Sequence, residues 1–186
     1  MFRKNWIVIF LILLIAGCTT CKGVTKKSGN EEDAAPIILD SYAAEKIRPG
    51  ASWRVYLEAQ DEDGDINYIA AQIFQPGVGY YPTSFTYIKG TDRQGFAGYI
   101  YLNTPADNRL LADNFRLELI LRDCEQNKSE PVYLPLKFDN LPSYQPQEVP
   151  EKWQMAANNR LGAIMVDIMS SERYNSNEGS RGRIVK

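Results

Sequence analysis

Apolar and polar residues alternate along the middle of the chain in short runs. Every second residue is apolar from Trp53 to Ala59, from Phe115 to Leu121 and from Val132 to Phe138. Because successive side chains of a strand point to opposite faces, such a run buries one face and leaves the other in water. Turn-forming residues such as Pro49-Gly50 separate the runs. The pattern therefore predicts an all-β domain over residues 35–139.

Seven runs have the length of ordinary strands. They cover residues 36–42, 53–60, 69–73, 85–88, 96–102, 114–122 and 132–138. Seven short strands with turn signals between neighbours are typical of a two-sheet sandwich. Pro135 has no N–H to donate to a neighbouring strand, so we expect the last strand at a sheet edge or with a bulge.

The apolar spacing changes after residues 140–150, which hold three prolines and are predicted to be an extended linker. Over residues 151–173 the apolar side chains recur every three or four positions, which predicts an amphipathic α-helix. Its apolar stripe consists of Trp153, Ala157, Leu161, Ile164, Met165 and Ile168. The helix either covers its own sandwich, which we favour, or docks into the groove of a partner. Residues 174–186 are polar and predict a disordered tail.

A separate apolar run stands at the start of the chain. Residues 6–15 are all apolar and follow Arg3 and Lys4. The run is shorter than the ~20 residues that a membrane-spanning helix needs. Its order of basic, apolar and small residues predicts a signal peptide over residues 1–17, with an uncleaved N-terminal anchor as the alternative. Residues 18–34 are polar and charged, which predicts a disordered tether.

The end of this run, Ile15-Ala16-Gly17-Cys18, resembles the lipobox of bacterial lipoproteins. The resemblance implies cleavage before Cys18, lipid on its thiol and a membrane as partner. Two or three acyl chains anchor a protein stably, whereas one does so only marginally. Thr19 stands where an aspartate is an inner-membrane signal in many Gram-negative bacteria, so the resemblance favours the outer membrane. An ordinary secretory signal with an unmodified Cys18 is the rival interpretation.

Composition narrows the classes of function. The 186 residues include no histidine, so Ser-His-Asp and Cys-His catalysis are excluded. No nucleophile motif appears, and we expect no enzyme. The net charge is −2, and it becomes −4 once Arg3 and Lys4 leave with the signal peptide. An acidic chain without a basic face is not expected to bind nucleic acid.

Two turn motifs stand out in the predicted β domain. One is the acidic turn at residues 59–65, and the other is strand 117–123 followed by Asn127 and Ser129. They resemble turns of bacterial immunoglobulin-like domains, a broad set that includes fibronectin-like and cadherin-like modules. In the second motif Gln126 stands where glycine is usual. The resemblance implies a seven-stranded immunoglobulin-like β-sandwich, to which the C-terminal α-helix is added, with both turns at one end.

The acidic turn is a candidate calcium site. Carboxylates packed together repel each other unless a cation or hydrogen bonds offset the charge, and Ca²⁺ takes oxygen ligands in such loops. The resemblance implies that the second turn lies nearby. The candidate ligands are therefore Asp61, Asp63, Asp65, Asp123 and Asn127. The alternative, which we favour, is a solvated turn in which aspartates cap the backbone and Gly64 has a positive φ. No other cofactor is expected.

Two cysteines remain if Cys18 carries lipid. Cys21 lies in the predicted tether and Cys124 follows a predicted strand. An exported protein encounters conditions that permit disulfides. Three states are open: a bridge between Cys21 and Cys124, two free thiols, or an intermolecular bridge through Cys21.

The middle of the chain is rich in aromatic residues. Such side chains either pack on strand faces, which we favour, or form surfaces that bind proteins or sugars. The candidate interaction surface consists of Tyr80, Tyr81, Tyr87, Tyr99, Tyr101 and Trp153. The expected function is a non-catalytic lipoprotein that presents its domain to a protein partner in the cell envelope. The alternative is a carbohydrate-binding surface module that uses a tyrosine-rich sheet face.

Overall fold

Ten β-strands lie within residues 34–181, the part of the chain that the computed structural model describes. The predicted signal peptide, Cys18, nearly all of the predicted tether and residues 182–186 lie outside the described residues. The strands are β1 (Ile37–Ala43), β2 (Lys46–Ile47), β3 (Ser52–Gln60), β4 (Tyr68–Gln75), β5 (Gly79–Tyr80), β6 (Ser84–Tyr87), β7 (Gly95–Asn103), β8 (Asn114–Arg122), β9 (Val132–Phe138) and β10 (Arg160–Ala163).

The strands form two sheets. The four-stranded sheet has the order β1-β3-β7-β10, and the six-stranded sheet has the order β2-β9-β8-β4-β5 with β6 also paired to β4. Long neighbours are antiparallel, whereas the short strands β2 and β10 pair in parallel with β9 and β7. The prediction of a mostly-β, two-sheet domain is confirmed.

The apolar sides of the two sheets face each other and make the core. Trp53, Val55 and Leu57 are buried on the inner side of β3, and Leu117 and Leu119 are buried on the inner side of β8. Burial of one such side chain favours folding by about 1.5–3 kcal/mol before the cost of ordering it. The alternation seen in the sequence therefore identifies the inner faces correctly.

All seven predicted segments lie in strands, but the strand count of seven is wrong. The three additional strands are β2, β5 and β10. Each has two to four residues, which is too short to show a period of two. β2 reaches only the end of β9, where it pairs with Lys137 and Phe138, so Pro135 lies where β9 has no second neighbour.

The domain does carry a C-terminal α-helix, but the predicted amphipathic helix over residues 151–173 is wrong over residues 151–170. Its first part forms two short 3₁₀ turns at Glu151–Trp153 and Ala156–Asn158, and its middle forms β10. Residues 164–168 then run extended, with Ile164, Val166 and Ile168 buried. The segment nevertheless packs on its own sandwich, which is the placement that the sequence favoured.

The predicted disordered tail is also wrong over residues 174–181. A helix, α1 (Ser171–Arg181), covers these positions. The side chain of Ser170 accepts a hydrogen bond from the backbone N–H of Arg173, and Asp113 accepts one from the N–H of Ser171. These bonds satisfy donors that the first turn of a helix leaves free, so the helix begins there.

The sandwich has two distinct ends. Ser52 pairs with Asn103 at one end of the β3–β7 ladder, and Gln60 pairs with Gly95 at the other. The backbone N–H of Ala34 donates to Asp63 Oδ2 at 2.7 Å, beside Gln60. We call the end near Gln60 the entry end, because the described chain begins there, and the end near Ser52 the far end.

Candidate functional site

Aromatic rings lie on the outer surface of the six-stranded sheet. They come from alternate positions of β4, from β5 and β6 beside it, and from β9, and they share one side of the sheet. We call this surface the aromatic face; it consists of the half-buried Tyr68 and Phe74 and the exposed Tyr80, Phe85, Tyr87 and Tyr133. The most exposed of them are Tyr80 and Tyr87, at 60% and 61%. Tyr80 and Tyr87 of the predicted interaction surface are therefore accessible to solvent, and their role in binding stays a prediction.

The rings of the aromatic face contact each other in two groups. Tyr68 meets Phe85 edge to face, with ring centroids 5.4 Å apart, and lies 5.7 Å from Tyr87. At the other end of β4, Phe74 and Tyr80 are 4.9 Å apart. The guanidinium of Arg116 lies over Phe74 and also over the nearby Tyr133 ring. These contacts restrict the positions that the rings can take.

Three residues of the predicted interaction surface lie on the other sheet. Tyr99 and Tyr101 point outward from β7, and Trp153 covers the same side from the C-terminal segment. Tyr42, Tyr56 and Tyr99 form a row across β1, β3 and β7, and Trp153 packs on Tyr56 with centroids 5.9 Å apart. Trp153 is only 4% exposed, so its assignment to an exposed surface is wrong.

Tyr81 is also misplaced by the sequence prediction. It is buried, and its hydroxyl donates to Gln75 Oε1 at 2.6 Å while accepting from the N–H of Met169 at 3.2 Å. Tyr81 therefore attaches the C-terminal segment to β4. Its neighbour Tyr80 is exposed because adjacent residues of an extended chain point to opposite sides.

Three carboxyl groups are buried together at the entry end. Asp61 and Asp65 come from the β3–β4 turn and Asp123 follows β8. Their partners are backbone N–H groups: Asp65 donates to Asp61 Oδ2 at 3.2 Å, Cys124 to Asp65 Oδ2 at 3.3 Å, and Asn127 to Asp123 Oδ1 at 2.8 Å. One oxygen of each carboxyl group receives no hydrogen bond from an N–H or hydroxyl group of the described residues.

Burial and mutual repulsion change how these acids ionise. Loss of water contact, the shared hydrogen bond with Asp61 and the negative charge of Asp123 together raise the pKa of Asp65 to about 6. Burial also raises the pKa of Asp61. Below about pH 6 the two side chains can therefore share a proton, which removes one of the charges that the close packing would otherwise oppose.

The five candidate calcium ligands do not come together as one set. Asp61, Asp65 and Asp123 are neighbours, but Asp63 is exposed and accepts from Ala34 instead. Within residues 34–181, no group of three or more His, Cys, Asp or Glu side chains is arranged to hold a metal ion. The favoured alternative of a solvated turn is wrong for Asp61 and Asp65, which are buried. Gly64 does have a positive φ of 73°, and the aspartates do accept backbone N–H groups.

Cys124 lies beside this acidic group and is disulfide-bonded. The guanidinium of Arg93 also donates to its sulfur at 3.6 Å. The other two cysteines of the chain, Cys18 and Cys21, are outside the described residues. The free-thiol alternative for Cys124 is therefore wrong.

Comparisons with known proteins identify no family. No protein-family model and no curated protein sequence matches the chain. Several solved structures, including the following three, are similar over part of it. The PKD domain of an M14-like peptidase from a Thermoplasmatales archaeon is 15% identical, with a TM-score of 0.40 over 59% of this chain and 100% of that one.

The other two structures are less similar. One is the human seminal-plasma complex of zinc α2-glycoprotein and prolactin-inducible protein, at 10% identity and a TM-score of 0.33 over 59% of this chain and 98% of that chain. The other is the CARDB domain of a Pyrococcus furiosus protein in complex with di-metal ions. It is 4% identical, with a TM-score of 0.31 over 56% of this chain and 86% of that chain. At these scores the likeness transfers neither fold nor function to this chain.

The described residues contain no helix with the length and apolar character that crossing a membrane requires.

Proposed function

We propose that this chain is a lipoprotein of the bacterial cell envelope that presents a non-catalytic, immunoglobulin-like domain to a protein partner. Lipid on Cys18 anchors it, with the outer membrane as the favoured site, because Ile15-Ala16-Gly17-Cys18 resembles a lipobox. The absence of histidine from the whole sequence supports a binding rather than a catalytic role.

The strand order supports the immunoglobulin-like assignment. The order β1-β3-β7 corresponds to strands A, B and E of that fold, and β9-β8-β4 corresponds to strands G, F and C. In this comparison β6 adds to the second sheet next to β4, and β2, β5 and β10 are short additions.

The aromatic face is the observation that carries the proposal. A monomeric protein seldom exposes so many neighbouring large rings, and such patches mark contact surfaces. Tyrosine and arginine are also the residue types that dominate the binding energy of protein interfaces, and Arg116 lies among the rings. On the four-stranded sheet, Trp153 and Ala156 of the C-terminal segment pack over Tyr56. The aromatic face of the six-stranded sheet is therefore the better candidate for contact with a partner.

The contact is tested by photo-crosslinking in cells. A photoreactive phenylalanine analogue at Tyr87 should yield a defined crosslinked product, whereas the same analogue at Met155, which is 86% exposed and lies in the segment that packs on the other sheet, should not. Phe85→Ser should weaken the crosslink at position 87. Equal crosslinking at both positions would contradict a specific surface. The carbohydrate-binding alternative would be favoured by a different result. In that case the protein binds neutral glycans, Phe85→Ser abolishes this binding, and no protein crosslink forms.

The anchor is tested by metabolic labelling with a radioactive fatty acid. Cys18→Ser should lose the label and should accumulate as an uncleaved precursor, while Cys21→Ser should keep the label. A Cys18→Ser variant that matures normally and stays in the membrane would contradict the lipoprotein assignment.

With Cys18 lipidated, Cys21 is the proposed partner of Cys124. Peptide mapping under non-reducing conditions should recover a Cys21–Cys124 pair from the mature protein. A pair made between two copies of the chain would instead support the intermolecular alternative.

A further inference from the structure

A groove of about 280 Å³ opens at the far end of the sandwich. It lies between the outer side of the four-stranded sheet and residues 144–149 of the linker. Its walls include Tyr42, Arg48, Ser52, Arg54, Tyr144 and Gln147. The groove is separate from the aromatic face, which belongs to the other sheet.

The linker that forms one wall is held in place by specific contacts. The hydroxyl of Tyr144 donates to the carbonyl of Lys46 at 3.1 Å, and the hydroxyl of Tyr42 donates to the carbonyl of Glu148 at 3.2 Å. The guanidinium of Arg48 lies 5.3 Å from the centre of the Tyr144 ring. These contacts shape the groove before any ligand arrives, which lowers the entropy cost of binding.

The groove carries positive charge on an acidic protein. Arg48 and Arg54 are exposed in its wall, and the lining contains no Asp or Glu. Among residues 34–181 neither guanidinium forms an ion pair. Each guanidinium lies over an aromatic ring instead: Arg54 is 5.1 Å from the centre of the Tyr99 ring, and Arg48 is 5.3 Å from that of Tyr144. A guanidinium on an aromatic ring keeps its N–H edge available, and its fork of donors matches a carboxylate.

The rest of the wall suits a sugar ring. Tyr42 and Tyr144 are half-buried and offer aromatic surface, against which the C–H face of a pyranose stacks. Ser52 donates its own hydrogen to Asn103 Oδ1 at 2.7 Å, so its oxygen is left to accept from a ligand hydroxyl. The exposed amide of Gln147 both donates and accepts.

From this arrangement we propose that the groove binds a carboxylate-bearing saccharide, such as the terminal uronic acid of a glycan. Arg48 and Arg54 bind the carboxylate, and Tyr42 and Tyr144 contact the ring. This places saccharide recognition at the far end rather than on the tyrosine-rich sheet face, and it holds whether or not the aromatic face binds a protein.

Titration of the full chain in detergent with glucuronate tests the site. Isothermal titration calorimetry should detect binding in the millimolar range expected for a monosaccharide. Glucose, which keeps the ring but lacks the carboxylate, should bind at least about tenfold more weakly. Arg54→Gln and Arg48→Gln should each weaken glucuronate binding by about tenfold. Arg116→Gln is the matched control, because Arg116 also lies over aromatic rings but outside the groove, and it should bind like the wild type.

Four results would overturn the proposal. Equal binding of acetate and glucuronate would show an anion site without saccharide recognition. Equal affinity for glucose and glucuronate would show that the arginines do not bind the carboxylate. If Tyr87→Ser abolishes glucuronate binding and Arg54→Gln does not change it, the saccharide site lies on the aromatic face. Absence of binding at tens of millimolar glucuronate, with an unchanged melting temperature of the protein, would exclude the site altogether. Crosslinking at position 87 is independent of all four results.

Discussion

Gly162 and Thr86 are so close that a Cβ atom on Gly162 would stand 2.5 Å from Cγ2 of Thr86. Gly162 belongs to β10 of the four-stranded sheet and Thr86 to β6 of the six-stranded sheet. Next to them, Met165 donates its backbone N–H to Ser84 Oγ, and Ile164 donates to the carbonyl of Tyr101. The C-terminal segment therefore joins the edges of both sheets at a point where only glycine fits.

Gly162→Ala should destabilise the domain by about 1–3 kcal/mol, because the new methyl group forces β10 away from β6. Thr86→Ala removes the two atoms that the methyl group meets most closely. In that background the penalty of Gly162→Ala should shrink, and a double-mutant cycle of urea unfolding measures the difference. Equal penalties in both backgrounds would show that this contact does not limit residue 162.

Trp153→Ala should destabilise the domain by about 3–5 kcal/mol, the usual cost of removing a large buried ring. The ring is 4% exposed and covers Tyr56, which would then meet water. Met155→Ala is the control from the same segment, because Met155 is 86% exposed, and it should change stability little. Thermal unfolding of the two variants makes the comparison. A Trp153→Ala variant that melts like wild type would mean that the segment does not stabilise the sheet.

The long strands could be predicted from the sequence, but the C-terminal segment could not. In β3, β7, β8 and β9 the period of two extends over seven to nine residues and fits no other regular structure. Ile164 and Ile168 are four apart and so fit a helix, yet with Val166 they also fit a strand. The open edges of β7 and β6 favour the extended form, and these edges exist only in the folded chain.

The candidate site was predictable only in part for a similar reason. Alternation puts Tyr99 and Tyr101 on the outside of their strand, as the structure does. Alternation cannot show that Trp153 packs over that side, because Trp153 belongs to a segment that is distant in the sequence. Likewise the spacing of Asp61, Asp63 and Asp65 does not show that only Asp63 is exposed. The geometry of the turn decides which of the three side chains is buried.

Gln126 has a left-handed backbone, with φ 74°, a conformation that glycine adopts without a steric cost. A residue with a Cβ atom loses about 1–2 kcal/mol in this conformation. Gln126→Gly should therefore stabilise the domain by about 0.5–1 kcal/mol after the greater entropy of glycine in the unfolded chain is counted. Gln126→Ala, which keeps the Cβ atom, should bring no such gain. Denaturant unfolding distinguishes the two, and equal effects would contradict the strain at this position.

Stability should depend on pH through Asp65. Its pKa of about 6 in the folded protein lies above the ordinary value of 3.8, so folding takes up a proton between these pH values. The stabilising contribution of the protonated acid is fully present below about pH 4 and is lost as the pH rises through about 6. The free energy of unfolding should therefore fall by up to about 1.4 kcal/mol per pH unit across this window.

Asp65→Asn tests this origin of the pH dependence. The amide keeps the shape of the protonated acid and donates a hydrogen bond to Asp61, but it cannot ionise. The variant should thus exceed the wild type in stability by about 1–3 kcal/mol near pH 8 and match it near pH 4. Glu62→Gln, at an exposed position of the same turn, should leave the pH profile unchanged. If millimolar Ca²⁺ instead stabilises the wild type near pH 8 and not Asp65→Asn, the carboxylates hold a cation in place of the shared proton, and the calcium-binding alternative becomes the better account of this turn.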